Sequence, residues 1–312
     1  IDYFYVDAKP VICLMGPTAS GKTNLAIELI QHLDAEIISV DSAMIYRSMD
    51  IGTAKPSPLI LKQAPHRLID THDASQSYSA GEFRVDAISA IEEILARDHI
   101  PLLVGGTMLY FHVLQQGIAT LPPANQLVRQ QLKKELEQQG LKKLHQRLTI
   151  IDPIAAQRIH PNDPQRLLRA LEVPLITGKT LTALQQAPIN SHLPYLFINI
   201  ALIPSDRNLL HQSIATRFQT MLKLGLLEEV EQLFKRGDLH ANLPSMRTVG
   251  YRQVWNYLMG HISAIEMQES AIIATRQLAK RQLTWLRSWK KLNTLLCHDK
   301  ENIQKIIQLI NK

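Results

Sequence analysis

Residues 16 to 23 read Gly-Pro-Thr-Ala-Ser-Gly-Lys-Thr, a G-x-x-x-x-G-K-[ST] pattern that commits the surrounding chain to a strand, a tight turn and a helix gathered around an anion. The flanks agree with that demand. The short apolar run Val11 to Met15 reads as a buried strand ending at glycine, and a helix is expected from Lys22 to about Leu33. Glycines let backbone N–H groups wrap a phosphate, the helix start adds positive potential, and Lys22 supplies a point charge. The grip on a diphosphate is assigned to Gly16, Pro17, Thr18, Ala19, Ser20, Gly21, Lys22 and Thr23, with Thr23 placed to hold a magnesium ion (Mg2+) across the phosphates. The loop leaves open whether those phosphates belong to ATP, GTP or another compound, although the Asn-Lys-x-Asp segment that reads guanine is absent.

Beyond the loop, Ile37, Ile38 and Val40 form a second strand that stops at Asp41, and Leu102 to Val104 a third that stops at Gly105 and Gly106. Between them a capping box, Ser79 with Glu82, opens a helix carrying Phe83, Ala87, Ile91, Ile94 and Leu95 at helical spacing. The alternation predicts an α/β fold, a P-loop NTPase-like parallel sheet flanked by helices. From about Gln115 the pattern turns helical, with Asp152-Pro153 and Asp163-Pro164 each reading as an N-cap followed by proline in the first turn. Tyr195 to Ile203 is strand-like again. The expected division is a first part of the core at 1–117, an inserted all-helical domain at 118–193, and a return strand with C-terminal helices at 194–312. Ser205 is expected to cap a helix to about Leu224, and Ser263 with Glu266 to open one through about Leu292.

Composition narrows the setting. The two cysteines, Cys13 and Cys297, match no metal or disulfide spacing and read as reduced thiols. No apolar run is long enough for a membrane span and the first residues lack a signal-peptide pattern, so a cytoplasmic protein without membrane contact is expected. The net charge of +6 favours a polyanionic partner.

Asp41 ends its strand at the carboxyl edge of the sheet, facing the same crevice as the loop. Such an acid holds magnesium in a nucleotide hydrolase, or takes a proton from the attacking group in a transferase. Gly105-Gly106-Thr107 opens toward the same edge, either as a structural turn or with Thr107 on a substrate. On the last long helix, Leu278, Trp285, Trp289 and Leu292 form an apolar stripe that predicts buried tryptophans. Arg276, Lys280, Arg287 and Lys291 share the opposing face, and no acid occurs between Ala271 and Leu296, which points to phosphate-backbone contact. Arg166 and Arg169 fit either solvated helix charge or an RNA contact, and His160 reads as structural.

Taken together these segments resemble one family, the tRNA dimethylallyltransferases (tRNA isopentenyltransferases). The resemblance runs through GPTASGKT (16–23), DSAMIY (41–46), DIGTAKP (50–56), PHRLID (65–70), YSAGEF (78–83), PLLVGGTMLY (101–110), HPNDPQRLLRALEV (160–173), SMRTVGYRQ (245–253) and ATRQLAKRQLTWLR (274–287). It is closest to the bacterial form, since no Cys/His zinc-finger pattern follows the basic helix.

The resemblance implies a prenyltransferase that moves dimethylallyl from dimethylallyl diphosphate to N6 of adenosine at position 37, next to the anticodon, in tRNAs reading codons that begin with U. By similarity Asp41 is the general base, Thr107 sits by the reacting centre, and Arg217 adds a charge on the leaving diphosphate. The tRNA-facing stretches implied are Asp41, Ser42, Ala43 and Met44; Gln165, Arg166, Leu167, Leu168 and Arg169; Arg247, Thr248, Val249, Gly250, Tyr251 and Arg252; and Lys280, Arg281, Gln282, Leu283, Thr284, Trp285, Leu286 and Arg287. Thr107 and Arg129 are further contacts. The partners implied are the tRNA anticodon arm and dimethylallyl diphosphate, for an enzyme expected to act as a monomer. Two departures stand out. Pro174 falls inside the helix after Arg169, where it is expected to kink or shorten it. Met44 stands where relatives often carry glutamine. The rival readings are a small-molecule kinase, which would use ATP, and an RNA-binding protein that only senses nucleotide.

Overall fold

An apolar run without polar breaks needs cover on both faces, and the computed structural model, which describes residues 9–119, 121–187 and 193–311, supplies it. The strands are β1 (Lys9–Met15), β2 (Ala35–Val40), β3 (His66–Arg67), β4 (Ile100–Gly105), β5 (Tyr195–Ile203) and β6 (Asn293–Leu296). They form one sheet in the order β3-β2-β4-β1-β5-β6, parallel throughout. All six carboxyl ends therefore emerge along one edge. The helices are α1 (Lys22–Leu29), α2 (Pro58–Gln63), α3 (Ala80–Leu95), α4 (Met108–Gln116), α5 (Gln126–Ile151), α6 (Pro153–Arg158), α7 (Pro164–Thr177), α8 (Leu181–Gln186), α9 (Arg207–Lys223), α10 (Leu226–Lys235), α11 (Tyr251–Leu258), α12 (Ala264–Arg287) and α13 (Asn302–Ile310).

Because side chains alternate along a strand, β1 feeds two cores. Val11, Cys13 and Met15 pack with Phe83 and Ile91 of α3, Phe111 of α4 and Leu286 of α12. Ile12 and Leu14 pack on the other face with Ala26 and Leu29 of α1 and Ile306 of α13. Each fully buried Phe or Leu contributes about 1.5–3 kcal/mol, so the sheet is held rigid from both sides. A third cluster joins Ile45, Tyr46 and Met49 to α10, α11 and the first half of α12.

The chain divides into two compact units, Ile1–Gln115 with Leu193–Lys312, and Gln116–His192. Among the described residues the second unit is all helical. Its core gathers Leu132, Leu144, Leu148, Leu167, Leu171 and Val173. Asp152 and Asp163 cap α6 and α7 with proline in the first turn of each. Gly140, at φ 76° and ψ 164°, breaks α5 in the middle. Pro174 does not end α7, which runs on to Thr177 and stops at Gly178 in the left-handed conformation.

Several boundaries differ from expectation. Helix α1 stops at Leu29 rather than near Leu33, and Asp206, not Ser205, caps α9. Helix α12 ends at Arg287, not near Leu292, because the chain must turn to add β6 beside β5. Strands β3 and β6 were not anticipated; two and four residues are too few to show an alternation.

Within the helical unit, Glu172 is buried and receives Arg129, Arg169 and the Asn125 N–H. Burial by itself would raise its pKa, but the hydrogen bonds from Arg169 and Arg129 outweigh that and lower it. A depressed carboxylate stabilises the fold above its unfolded pKa, and that stabilisation is lost as pH falls through the folded value. Glu172→Ala should cost about 2 kcal/mol, discounted for the part-exposed arginines, and thermal melts should show the deficit at neutral pH narrowing under acid.

Candidate active site

The loop after β1 is shaped by contacts that exclude side chains. A Cβ on Gly16 would stand 2.9 Å from the Leu202 carbonyl oxygen, and Gly21 adopts φ +83°. Ala19 is also left-handed, at φ 62°. Left-handed residues in a turn are how backbone N–H groups come to converge on an anion, and Gly21 caps α1 with no side-chain acceptor, so the helix start is open to one. Lys22 Nζ folds back to the Pro17 carbonyl at 2.7 Å and Ser20 Oγ at 3.3 Å.

Two other strand ends reach the same place. At the end of β2, Asp41 Oδ1 accepts from the N–H groups of Ala43 (2.8 Å) and Met44 (3.3 Å), which orients the carboxylate. At the end of β4, Gly105 lies so close to β2 that a Cβ would be 2.0 Å from the Val40 carbonyl oxygen. The turn places Thr107 Oγ1 where it accepts the Ser42 N–H at 3.1 Å. Helix α9 brings Arg217 and α12 brings Arg281, Gln282 and Trp285; all of these line one cavity of ≈ 810 Å³ with Thr18 to Thr23, Asp41 to Met44, Thr107 and Arg247 to Gly250.

Gln282 joins the parts. Its Oε1 accepts the Thr18 N–H at 2.9 Å and its Nε2 donates to the Gly106 carbonyl at 2.9 Å, so a buried amide on α12 ties the phosphate loop to the Thr107 turn. A side chain on Gly106 would meet that amide at 2.4 Å. Electrostatically the cavity is cationic. Burial, and then the Arg217 guanidinium, push the Lys22 ammonium down to about 8 against the upward pull of Asp41 and Cys297. Burial also lowers Arg217, with Asp41 opposing.

The structure sorts the expected RNA-facing residues. Tyr251 is buried with its hydroxyl on Glu229, whose carboxylate also takes the N–H groups of Asp50, Ile51 and Gly52. Leu286 and Leu167 are buried in their cores, so none of these three side chains can face RNA. Leu168 and Leu283 are partly buried against cores. Arg129 and Arg169 are held by Glu172. Lys280, Arg281, Thr284, Trp285, Arg287 and Arg252 are exposed, as are Gln165 and Arg166 in the helical unit. The buried stripe of α12 is Met267, Ala271, Ala279, Gln282 and Leu286; of the expected tryptophans, Trp289 packs with Leu292 against the core beyond the helix end, whereas Trp285 remains 38% exposed, edge-on to His112. Gln282 was legible only as one residue of a basic segment; its signal was a lone amide on the small-residue face.

Sheet, loop and cavity define a P-loop α/β protein with a helical insertion. A family model described as IPP transferase matches residues 44–289, and the chain belongs to that family. Among solved structures, the full-length tRNA isopentenylpyrophosphate transferase of Bacillus halodurans is 34% identical, with 97% of this chain and 95% of that one covered and a TM-score of 0.70. The tRNA delta(2)-isopentenylpyrophosphate transferase of Staphylococcus epidermidis is 35% identical, with 97% and 99% covered and a TM-score of 0.69. A eukaryotic dimethylallyltransferase acting on tRNA is 25% identical, with 96% and 78% covered and a TM-score of 0.80.

Gln282→Ala should leave the Thr18 N–H and the Gly106 carbonyl without their partner. A loss of about 1–3 kcal/mol in denaturant unfolding is expected, together with weaker diphosphate binding in calorimetry.

Proposed function

We propose that the chain is a tRNA dimethylallyltransferase, moving dimethylallyl from dimethylallyl diphosphate to N6 of adenosine 37 in tRNAs that read codons beginning with U. The observation that carries the reading is a single cavity in which two cations, Lys22 and Arg217, and one carboxylate, Asp41, converge. A kinase needs a cationic loop too, but the family and the tRNA-acting relatives favour prenyl transfer.

The amine nitrogen attacks the allylic carbon and its electron pair forms the new C–N bond. The carbon–oxygen pair departs on diphosphate, and the amine proton passes to Asp41. Lys22, Arg217 and the loop amides neutralise the charge that grows on the leaving group. Thr107, fixed beside Ser42, would border the reacting centre. Magnesium fits the donor set, since it takes one or two protein oxygens beside phosphate oxygens, and Thr23 in the cavity wall offers a hydroxyl. When bound, the ion would spread negative charge on the diphosphate.

The tRNA would dock by counterion release on the exposed basic face of α12, Lys280, Arg281 and Arg287, with Arg252, and on Gln165 and Arg166 of the helical unit. Arg129 and Arg169 would have to share their N–H groups with Glu172. Unstacking the target base costs a few kcal/mol, and Trp285 on the cavity wall offers a ring for stacking. No membrane or protein partner is invoked, and no helix among the described residues is long and apolar enough to cross a membrane.

The test is incubation with undermodified tRNA and dimethylallyl diphosphate, with and without ATP, followed by mass measurement of the digested nucleosides. Prenylated adenosine without ATP is expected; a phosphorylated product that needs ATP, or no product, would sink the proposal. Asp41→Ala should retain tRNA binding and lose turnover by about 10²-fold or more. Lys22 is already depressed to about 8, and a bound diphosphate raises it again, so binding takes up a proton only above that pH. The KM for dimethylallyl diphosphate should accordingly climb above pH 8, by at most about tenfold per unit, and a flat profile there would count against Lys22 as a ligand.

A further inference from the structure

The strand order places the phosphate loop between two different neighbours. Asp41 follows β2, which lies two positions from β1 on one side; His298 follows β6, two positions from β1 on the other. Both stand at the carboxyl edge and both line the cavity. His298 comes close to the loop: a methyl placed on Gly21 would be 3.5 Å from its Cε1 and 3.9 Å from its Nδ1.

The segment carrying His298 is well anchored. The Cys297 N–H donates to the Ile203 carbonyl at 3.0 Å, and Asn302 Nδ2 to the Leu296 carbonyl at 2.8 Å. Ile306 of α13 is buried in the core shared with α1. The adjacent acid, Asp299, is taken by Lys305 Nζ at 2.8 Å and by the Glu301 N–H at 2.9 Å, so its charge is compensated and does not oppose an incoming anion. Cys297 lies within electrostatic reach of Lys22, which puts this turn beside the same charge.

If the dimethylallyl end of the substrate points to Asp41, the terminal phosphate must point away, toward β5 and β6. We propose that His298 binds this free terminal phosphate, donating a ring N–H across the mouth of the loop at Gly21 and selecting a substrate whose diphosphate ends there. The inference rests on the reading of the loop as a diphosphate site. An imidazole can carry its donor hydrogen on either nitrogen, and it adds a contact that the loop amides, Lys22 and Arg217 do not make. The sequence offered no signal for it, since an isolated histidine near the chain end fits no motif.

The experiment is calorimetry of the full chain with inorganic pyrophosphate and magnesium, beside steady-state kinetics with dimethylallyl diphosphate and tRNA. His298→Ala should weaken pyrophosphate about tenfold and raise the KM for dimethylallyl diphosphate to match, with kcat and the KM for tRNA unchanged. His298→Gln, which keeps an N–H donor, should recover most of the affinity. Wild-type affinity in His298→Ala, a fall in kcat without a change in KM, or no rescue by glutamine would overturn the proposal. Lys22→Ala separates the two readings: if it abolishes pyrophosphate binding while His298→Ala does not alter it, the diphosphate site stands and His298 has no part in it. Failure of the wild-type protein to bind pyrophosphate at all would remove both.

Discussion

Two cations brought to the wall of one cavity repel each other, and the site depends on that unfavourable pairing. Lys22 and Arg217 come from different elements, one from the start of α1 and one from α9, and the guanidinium makes the ammonium harder to keep charged. Among the described residues Arg217 makes no hydrogen bond or ion pair; Asp41 is the carboxylate whose field opposes the repulsion. A cavity with this charge pattern favours a compact anion, whose negative charge would relieve the repulsion. The rest of the core can be understood as the framework needed to hold that arrangement: a sheet buried on both faces, a loop of fixed backbone, and helices that carry each charge to the same edge.

That framework is joined at a few polar points. Gln282 connects the phosphate loop to the turn after β4, and Glu229 collects the N–H groups of residues 50 to 52 with the Tyr251 hydroxyl, fixing the opposite wall through Gly52. Both are buried or part-buried side chains satisfied on more than one side, the condition under which polar groups inside a protein specify one arrangement instead of weakening it. Their removal would disturb the geometry of the site without touching a reacting atom.

The sequence made the centre of the sheet legible because β1, β2 and β4 are short, largely apolar runs followed by glycine or aspartate, and it made the loop legible because the pattern and its flanks agree. Family resemblance supplied Arg217, which no local spacing marks. What stayed hidden has physical causes. Strands of two and four residues, β3 and β6, are too short to show a period, and α12 stops at Arg287 because β6 must add to β5. The apolar stripe of the sequence is half right: Trp289 and Leu292 pack against the core, but alanines at 271 and 279 let the helix sit close and leave Trp285 at the cavity. Arg129 and Arg169 looked like free charge because Glu172, their partner, lies 43 residues from the former and across a helix turn from the latter. Pro174 is expected to disturb α7, yet the helix runs on to Thr177 and reaches its glycine stop at Gly178, four residues past the proline.

The near contact between β2 and β4 has a consequence for how such a protein can change over time. Gly105 allows the Val40 carbonyl to occupy the space where a Cβ would be, 2.0 Å away. Even the smallest branch at that point would wedge the two strands apart, and since one ends in Asp41 and the other leads to Thr107, the damage would fall on the spacing between them. Position 105 is thus closed to every side chain, and the width of the cavity between that carboxylate and that hydroxyl is set by the absence of one methyl group.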